Sequence, residues 1–314
     1  MLNLTLALVL LAACAADGGR QCNVGADCVS GVCQSNGLCL PADGGGVDAM
    51  LPDGGMVDAR TADTADASDL DASFDAAVDS GTCAPNRDGV IERTEIPLRA
   101  GLRATFMGAL DVAFDTRGEM IDGVRTWDLS GDFAGDRMVL VETRDPAGEW
   151  FEDDFPGATY VTELSLEEDL LGVFEITDDE LLLLGVVSPE DGFTATNLEN
   201  DPAVLVLDFP LEEGKTWATD TTVSGLALGV ISAYSEDYSS EVDARGTMIT
   251  PFGTFRDVLR VRTELVRTVG FAVTRVVTFA YVSECFGTIA TMRGQNGDDG
   301  AELTELAEVQ RLAP

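Results

Sequence analysis

The feature that most constrains this chain is an alternation of period two across its last third. Leu259, Val261, Thr263 and Leu265 take one side of a run whose other side carries Arg260, Arg262, Glu264 and Val266. Val273, Arg275, Val277, Phe279 and Tyr281 form one face of the next run. Side chains of a strand point alternately to opposite faces, whereas a helix repeats every 3.6 residues, so these runs read as long strands. Leu110, Val112 and Phe114 alternate in the same way with Asp111 and Asp115. Val139-Leu140-Val141, Leu181 to Val187 and Val204 to Leu207 read as shorter, more buried strands. Asp122-Gly123, Thr250-Pro251-Phe252-Gly253 and Gly294 to Gly300 supply turn residues between them. Only Thr162 to Leu171 has helical spacing, with Glu167 and Glu168 outward. The expectation is a mainly β, antiparallel domain over residues 83–314, a half-open or curved β-barrel or sandwich. An apolar content of 45% can support its core.

Composition removes several function classes. There is no histidine, so Ser-His-Asp and Cys-His nucleophiles and His-ligated metals are excluded. Chemistry on carboxylates, Lys or Tyr stays open. Nineteen basic residues against 56 acidic ones give a net charge of −37. Nucleic acid is therefore excluded as a partner, because binding to phosphates needs clustered Lys and Arg. The same charge repels anionic headgroups and keeps the folded chain off such a surface.

The N-terminus carries an address. Leu2 to Ala13 is apolar apart from Asn3 and Thr5, too short for a spanning helix of roughly 20 residues, and it ends in Leu11-Ala12-Ala13-Cys14. Small residues before a lone cysteine resemble the lipobox of bacterial lipoproteins, although Met1 to Thr5 holds no Lys or Arg. The resemblance implies a signal peptide over 1–13, a lipid (palmitate among its acyl chains) on Cys14, and a lipidated N-terminus over 14–21. Ala15 and Ala16 follow the cysteine, so the inner-membrane retention Asp is absent and the outer membrane, facing periplasm or cell surface, is expected. An ordinary signal peptide, with Cys14 a bystander, is the alternative.

The other six cysteines are even in number, as export favours. Cys22, Cys28, Cys33 and Cys39 fall within 22–40, a stretch too short to bury a core, so disulfides must stabilise it. Three pairings are open, with Cys22–Cys33 and Cys28–Cys39 favoured; a four-thiolate zinc site is the other reading. The Asp27-Cys28-Val29-Ser30-Gly31-Val32-Cys33 run is similar to small cysteine-rich modules of myxobacterial-type secreted proteins and, loosely, to Dickkopf proteins. Residues 41–82 follow, with Asp43-Gly44-Gly45-Gly46-Val47-Asp48-Ala49 echoed as Asp53-Gly54-Gly55-Met56-Val57-Asp58-Ala59. Ten Asp face Arg60 alone there. Such a segment cannot bury enough apolar surface to offset its ordering entropy, so a disordered acidic linker is expected, resembling the stalks of myxobacterial lipoproteins.

Cys83 and Cys285 remain as a distant pair that would tie the domain's first turn to its penultimate hairpin. After Cys83, residues Asn86, Asp88, Gly89, Ile91 and Glu95 match positions three, five, six, eight and twelve of an EF-hand calcium loop. Ala84 occupies the first ligand position and Ile96-Pro97 blocks an exiting helix, so an Asn-x-Asp-Gly turn leading into a short strand competes with calcium on Asn86, Asp88 and Glu95. No other cofactor is implied.

A further resemblance covers about Pro210 to Met292. Pro210-Leu211-Glu212-Glu213-Gly214-Lys215-Thr216-Trp217, then Thr250-Pro251-Phe252-Gly253-Thr254-Phe255, then Tyr281 to Ile289 follow the order of motifs in certain secreted bacterial β domains. These are built as half-open barrels, a shape also used, more distantly, by Lol-type lipoprotein carriers. The resemblance implies a concave face for an acyl chain or a peptide.

Three acidic clusters, Glu152-Asp153-Asp154, Asp178-Asp179-Glu180 and Asp298-Asp299, are candidate acid–base pairs, with solvated turns as the competing reading. Arg245, Arg256, Arg260, Arg262, Arg267 and Arg275 are expected either to hold an anionic ligand such as a lipid phosphate or to pair with Glu264, Asp257 and similar acids on the outer sheet face. Trp127, Trp150 and Trp217 read as core or turn anchors. The function expected is a non-catalytic membrane-anchored module with a lipid, peptide or envelope-protein partner; a carboxylate-dependent envelope hydrolase and an adhesion scaffold are the alternatives.

Overall fold

A computed structural model describes residues 83–314. Cys14, the 22–40 cysteine module and the 41–82 linker lie outside them. Sixteen strands follow in order: β1 (Val90–Ile91), β2 (Arg103–Ala113), β3 (Glu119–Ile121), β4 (Val124–Asp128), β5 (Arg137–Glu142), β6 (Tyr160–Glu163), β7 (Leu171–Ile176) and β8 (Glu180–Val187). Then come β9 (Asn197–Asp208), β10 (Leu211–Glu212), β11 (Thr216–Ala227), β12 (Val230–Ile249), β13 (Thr254–Val269), β14 (Ala272–Ser283), β15 (Gly287–Gly294) and β16 (Glu305–Leu312). The fold is mainly antiparallel β, as the alternation predicts. No helix among the described residues is long and apolar enough to cross a membrane.

Twelve strands form one continuous path, β5-β2-β16-β15-β14-β13-β12-β11-β9-β8-β7-β6. Its two ends meet: Arg144 N–H donates to Val161 O (2.8 Å) and Val161 N–H to Arg144 O (2.9 Å). The sheet therefore forms a nearly closed barrel, within the half-open or curved form expected, and is sealed at the β5/β6 seam by one bridge. Closure removes most of the free edge that a sheet of this size would expose.

Cross-strand partners share a face, and the register divides the barrel wall into two. Ser240, Thr263, Thr278, Arg293, Glu308 and Leu110 are successive partners on one face. Arg260, Tyr281, Ala290, Arg311 and Met107 are successive partners on the other. The second face is the outer one. Residues 114–136 cover it, with Trp127 and Leu129 fully buried against Phe279, Tyr281, Met292 and Val309. Gly246 makes this docking close, since a Cβ there would meet Arg125 O and stand 2.9 Å from the Trp127 ring. A second outer cover, Phe151 and Phe155, packs on Val161, Leu171, Val173 and Val187, and the Phe155 ring fills the place a Cβ of Gly185 would take.

The remaining cluster plugs the barrel at one end. Tyr160 and Phe174 stack at 5.1 Å inside it, with Leu181, Leu207, Trp217, Val242, Leu259 and Val261 around them. Ile91, Ile96, Phe209 and Leu211 close that end from below, through the small β1–β10 sheet. Cys83 and Cys285 are joined there by a disulfide, and Cys285 N–H donates to Glu95 O at 2.7 Å. At a rise of about 3.3 Å per residue, the sixteen residues of β13 carry the wall roughly 50 Å to the opposite end.

Two expectations need correction. Thr162 to Leu171 is not helical: it is the end of β6, a loop and the first residue of β7. The polar groups that would close a helical turn are engaged elsewhere, Ser165 Oγ and Leu166 N–H both on Glu308. The Val139-Leu140-Val141 strand is not buried either. It ends the sheet path, and Met138 (57%) and Leu140 (55%) are exposed.

Candidate functional site

The inner face changes character along the barrel axis. Buried polar groups along it are satisfied locally: beside the plug the Ser240 and Thr263 hydroxyls meet at 2.9 Å, and further along, level with Glu236 and Tyr234 in the register, Thr221 Oγ1 donates to Pro202 O (2.6 Å) and Asn200 Nδ2 donates to Leu183 O (3.1 Å). Towards the far end the face is only half-buried, at Leu265, Val276, Thr278, Tyr234 and Tyr238. Strand alternation places these side chains inward, where each keeps part of its surface exposed.

Two charge clusters stand at this mouth. Glu236, 3% exposed, accepts from Arg267 Nε at 2.6 Å and from the Tyr238 hydroxyl at 2.7 Å. The Arg267 guanidinium lies 5.2 Å from the Tyr234 ring centroid, in cation–π range. Burial, then the Glu236 charge, pushes the Tyr238 phenol above its ordinary range, so it stays protonated and donating. Burial likewise raises Tyr234, against Arg267. Burial works against the charge on Arg267, but Glu236 outweighs it and the guanidinium is held more firmly protonated.

The second cluster is built on Glu308. It accepts from Ser165 Oγ (2.9 Å), Leu166 N–H (3.2 Å) and Gln310 Nε2 (2.7 Å), with Arg293 at 3.5 Å. Arg293 also pairs with Glu167 at 2.6 Å, and Arg137 donates to Leu166 O at 2.6 Å. Residues 164–170 leave β6 and are fastened to β5, β16 and β15 on the inner face, so they lie across part of the mouth. Gly108 permits the approach, its missing Cβ leaving room for the Leu166 side chain.

The arginines singled out in the sequence do not form one patch. Arg245 holds Asp257 (2.7 Å) and Arg275 reaches Glu264 (2.9 Å), as cross-strand pairing predicts, whereas Arg262 reaches Glu264 (3.3 Å) along its own strand. Arg260 departs from this: it is 1% exposed, beneath the 114–136 cover, and bonded to Asp243, Glu302 and Thr116 O. Its guanidinium lies 4.7 Å from the Phe279 ring and 5.6 Å from that of Trp127. Arg311 does the same work further along, with two bonds to Asp136 (2.9 and 2.7 Å) and others to Leu129 O and Gly131 O. Both are structural clamps. Arg256 is exposed, at the rim of an outer depression of about 590 Å³ shared with Arg125 and Arg245. Another depression, about 650 Å³, lies over Gly101, Arg103 and Thr143.

The acidic clusters stand on three separate connections: Glu152–Asp154 in an exposed 3-10 turn, Asp178 and Asp179 between β7 and β8, Asp298 and Asp299 between β15 and β16. Asp299 pairs with Arg275 at 3.4 Å. Elsewhere, Arg311 holds the Asp136 carboxyl below its ordinary range; Glu302 is also lowered, Arg260 and Thr116 overcoming its burial. Both are the reverse of a general acid.

At the other end, Asn86 Nδ2 donates to Glu95 Oε1 (2.7 Å), Glu92 N–H donates to Glu95 Oε2, and Asp88 Oδ1 accepts from Val90 N–H. The turn, with Arg87 and Gly89 at positive φ, runs directly into β1. Among the described residues no group of three His, Cys, Asp or Glu side chains is placed to hold a metal. Trp127 and Trp217 are buried and Trp150 half-buried, and each indole N–H donates to a backbone carbonyl.

Sequence reasoning missed Glu236, Tyr238, Glu308 and Arg311. Its available signal was a charge in a strand flanked by apolar residues, as Leu306-Ala307-Glu308-Val309 shows. The chain matches no protein family, no curated protein and no solved structure.

Proposed function

We propose that this is an exported outer-membrane lipoprotein, anchored through Cys14, that presents a non-catalytic barrel for binding an acyl-chain lipid. The observation that carries the reading is the graded inner face: apolar plug, half-buried Leu265 and Val276, then tyrosines and paired charges at the mouth. An amphiphile would lay its chain along the apolar part and its polar head among Tyr234, Tyr238 and Arg267. Cys83, the first described residue, lies at the plugged end, opposite the mouth.

A peptide is the second reading, supported by the seam. β5 meets β6 at one bridge and exposes Met138 and Leu140, an edge suited to an added strand. Native mass spectrometry of the protein taken from its own membrane tests both. A lipid mass on the folded chain is expected; a peptide mass selects the second reading, and a bare chain refutes both. Incorporation of labelled palmitate, lost in Cys14→Ser, tests the anchor separately.

A further inference from the structure

The mouth of the barrel is ringed by apolar side chains that stand largely exposed. Phe193 and Phe271 are fully exposed, Ile231 is 87% exposed, and Leu228, Val230 and Val269 are 50–73% exposed. They lie on three connections and the strand ends beside them, all at one end: β8–β9, β11–β12 and β13–β14. Gly229 N–H donates to Ala195 O (3.0 Å) and Leu228 N–H to Thr196 Oγ1 (3.2 Å), which ties the first two together. The third flanks them, because β12 and β13 pair as far as Ser235 and Thr268. A solvated monomer seldom gathers so much apolar surface without a partner.

From this geometry we infer that the tips insert into a zwitterionic lipid bilayer. About a quarter of the chain is charged, yet Gly192 to Thr196, Gly225 to Ala233 and Thr268 to Thr274 hold no Asp, Glu, Lys or Arg. The exclusion of charge matches hydrocarbon; a protein partner would meet the polar rim that surrounds most interfaces. The tips project, so the fully exposed rings have no groove of their own to fill. Leu226 to Leu228 spans about 7 Å at strand rise, within the roughly 5–10 Å to which interfacial elements bury their apolar side. These tips hold no basic residue of the kind that draws other peripheral proteins to anionic lipid, and the net charge of −37 opposes such lipid. This contact does not rest on the lipid anchor or on a ligand in the barrel.

Residues 15–314, which retain all three core clusters and carry no lipid, are sedimented with phosphatidylcholine vesicles. The native chain is expected in the pellet, unchanged in 0.5 M salt. A Phe193→Ser, Leu228→Ser, Ile231→Ser, Phe271→Ser variant is expected to bind at least about tenfold less, with the same circular dichroism and melting temperature. Replacing part of the lipid by phosphatidylglycerol should weaken binding. The inference is overturned by native chain in the supernatant, by a variant that binds equally, or by a native dimer that the variant dissolves.

Discussion

Replacing Arg311 by Met is the sharpest probe of how the barrel is held together. The side chain is wholly buried and bonded to Asp136 through two nitrogens, to Leu129 O, Gly131 O and Met107 O, with the Phe133 ring 4.4 Å from its guanidinium. Met keeps the volume and removes every bond, leaving the mostly buried Asp136 carboxylate without its cation. Removing one partner of a buried pair costs about 3–5 kcal/mol. Asp136 retains 13% of its side-chain surface, so the lower half of that range is expected. Urea unfolding followed by tryptophan fluorescence measures it, with Trp127 reporting on the cover. Arg311→Met combined with Asp136→Leu should be less destabilised than Arg311→Met alone, because no stranded charge remains. The acid limb gives an independent arm. A carboxyl depressed in the fold stabilises above its unfolded pKa of about 3.9 and loses that contribution as pH falls through the lower folded value. The native protein should therefore lose stability below about pH 4 more steeply than Arg311→Met. A cost under about 1 kcal/mol, with unchanged acid sensitivity, would refute the clamp.

Other outcomes follow from the same geometry. Cys83→Ser with Cys285→Ser opens a crosslink 202 residues apart, worth up to about 5 kcal/mol by loop-closure entropy, and should lower the urea midpoint as dithiothreitol does. Gly246→Ala should cost about 1–3 kcal/mol by pushing Arg125 and Trp127 off the wall, read as red-shifted tryptophan emission. Glu308→Ala should raise hydrogen exchange in 164–170 well above that in β14, since it removes the anchor of Ser165 and Leu166. Glu302, depressed by Arg260, adds a second acid-labile contribution that Arg260→Gln should abolish.

The strands were readable because alternation reports which residues face a wall. Leu259 to Val266 and Val273 to Tyr281 lie in β13 and β14 as their period requires. The Asn86–Asp88–Gly89 turn runs into a short strand, and Cys83 pairs with Cys285. Closure was not readable, because it depends on the Arg144–Val161 bridge between short segments with no pattern of their own. The arginines misled because alternation assigns Arg260 to a face without saying that residues 114–136 will cover it. The mouth stayed hidden for a related reason: Glu236 and Arg267 lie far apart in sequence and meet only through the β12–β13 register. Glu167 and Arg293 meet only because the barrel curls round.

Titration of the delipidated chain with a dansyl-labelled fatty acid tests the central claim most directly. Thr278→Trp, which places an indole inward at the half-buried level of the wall, is the control. Saturable binding of one probe per chain is predicted, abolished by Thr278→Trp and retained when the Phe193 and Phe271 tips are changed to Ser. Binding that never saturates, or that Thr278→Trp leaves untouched, would contradict a ligand site inside the barrel.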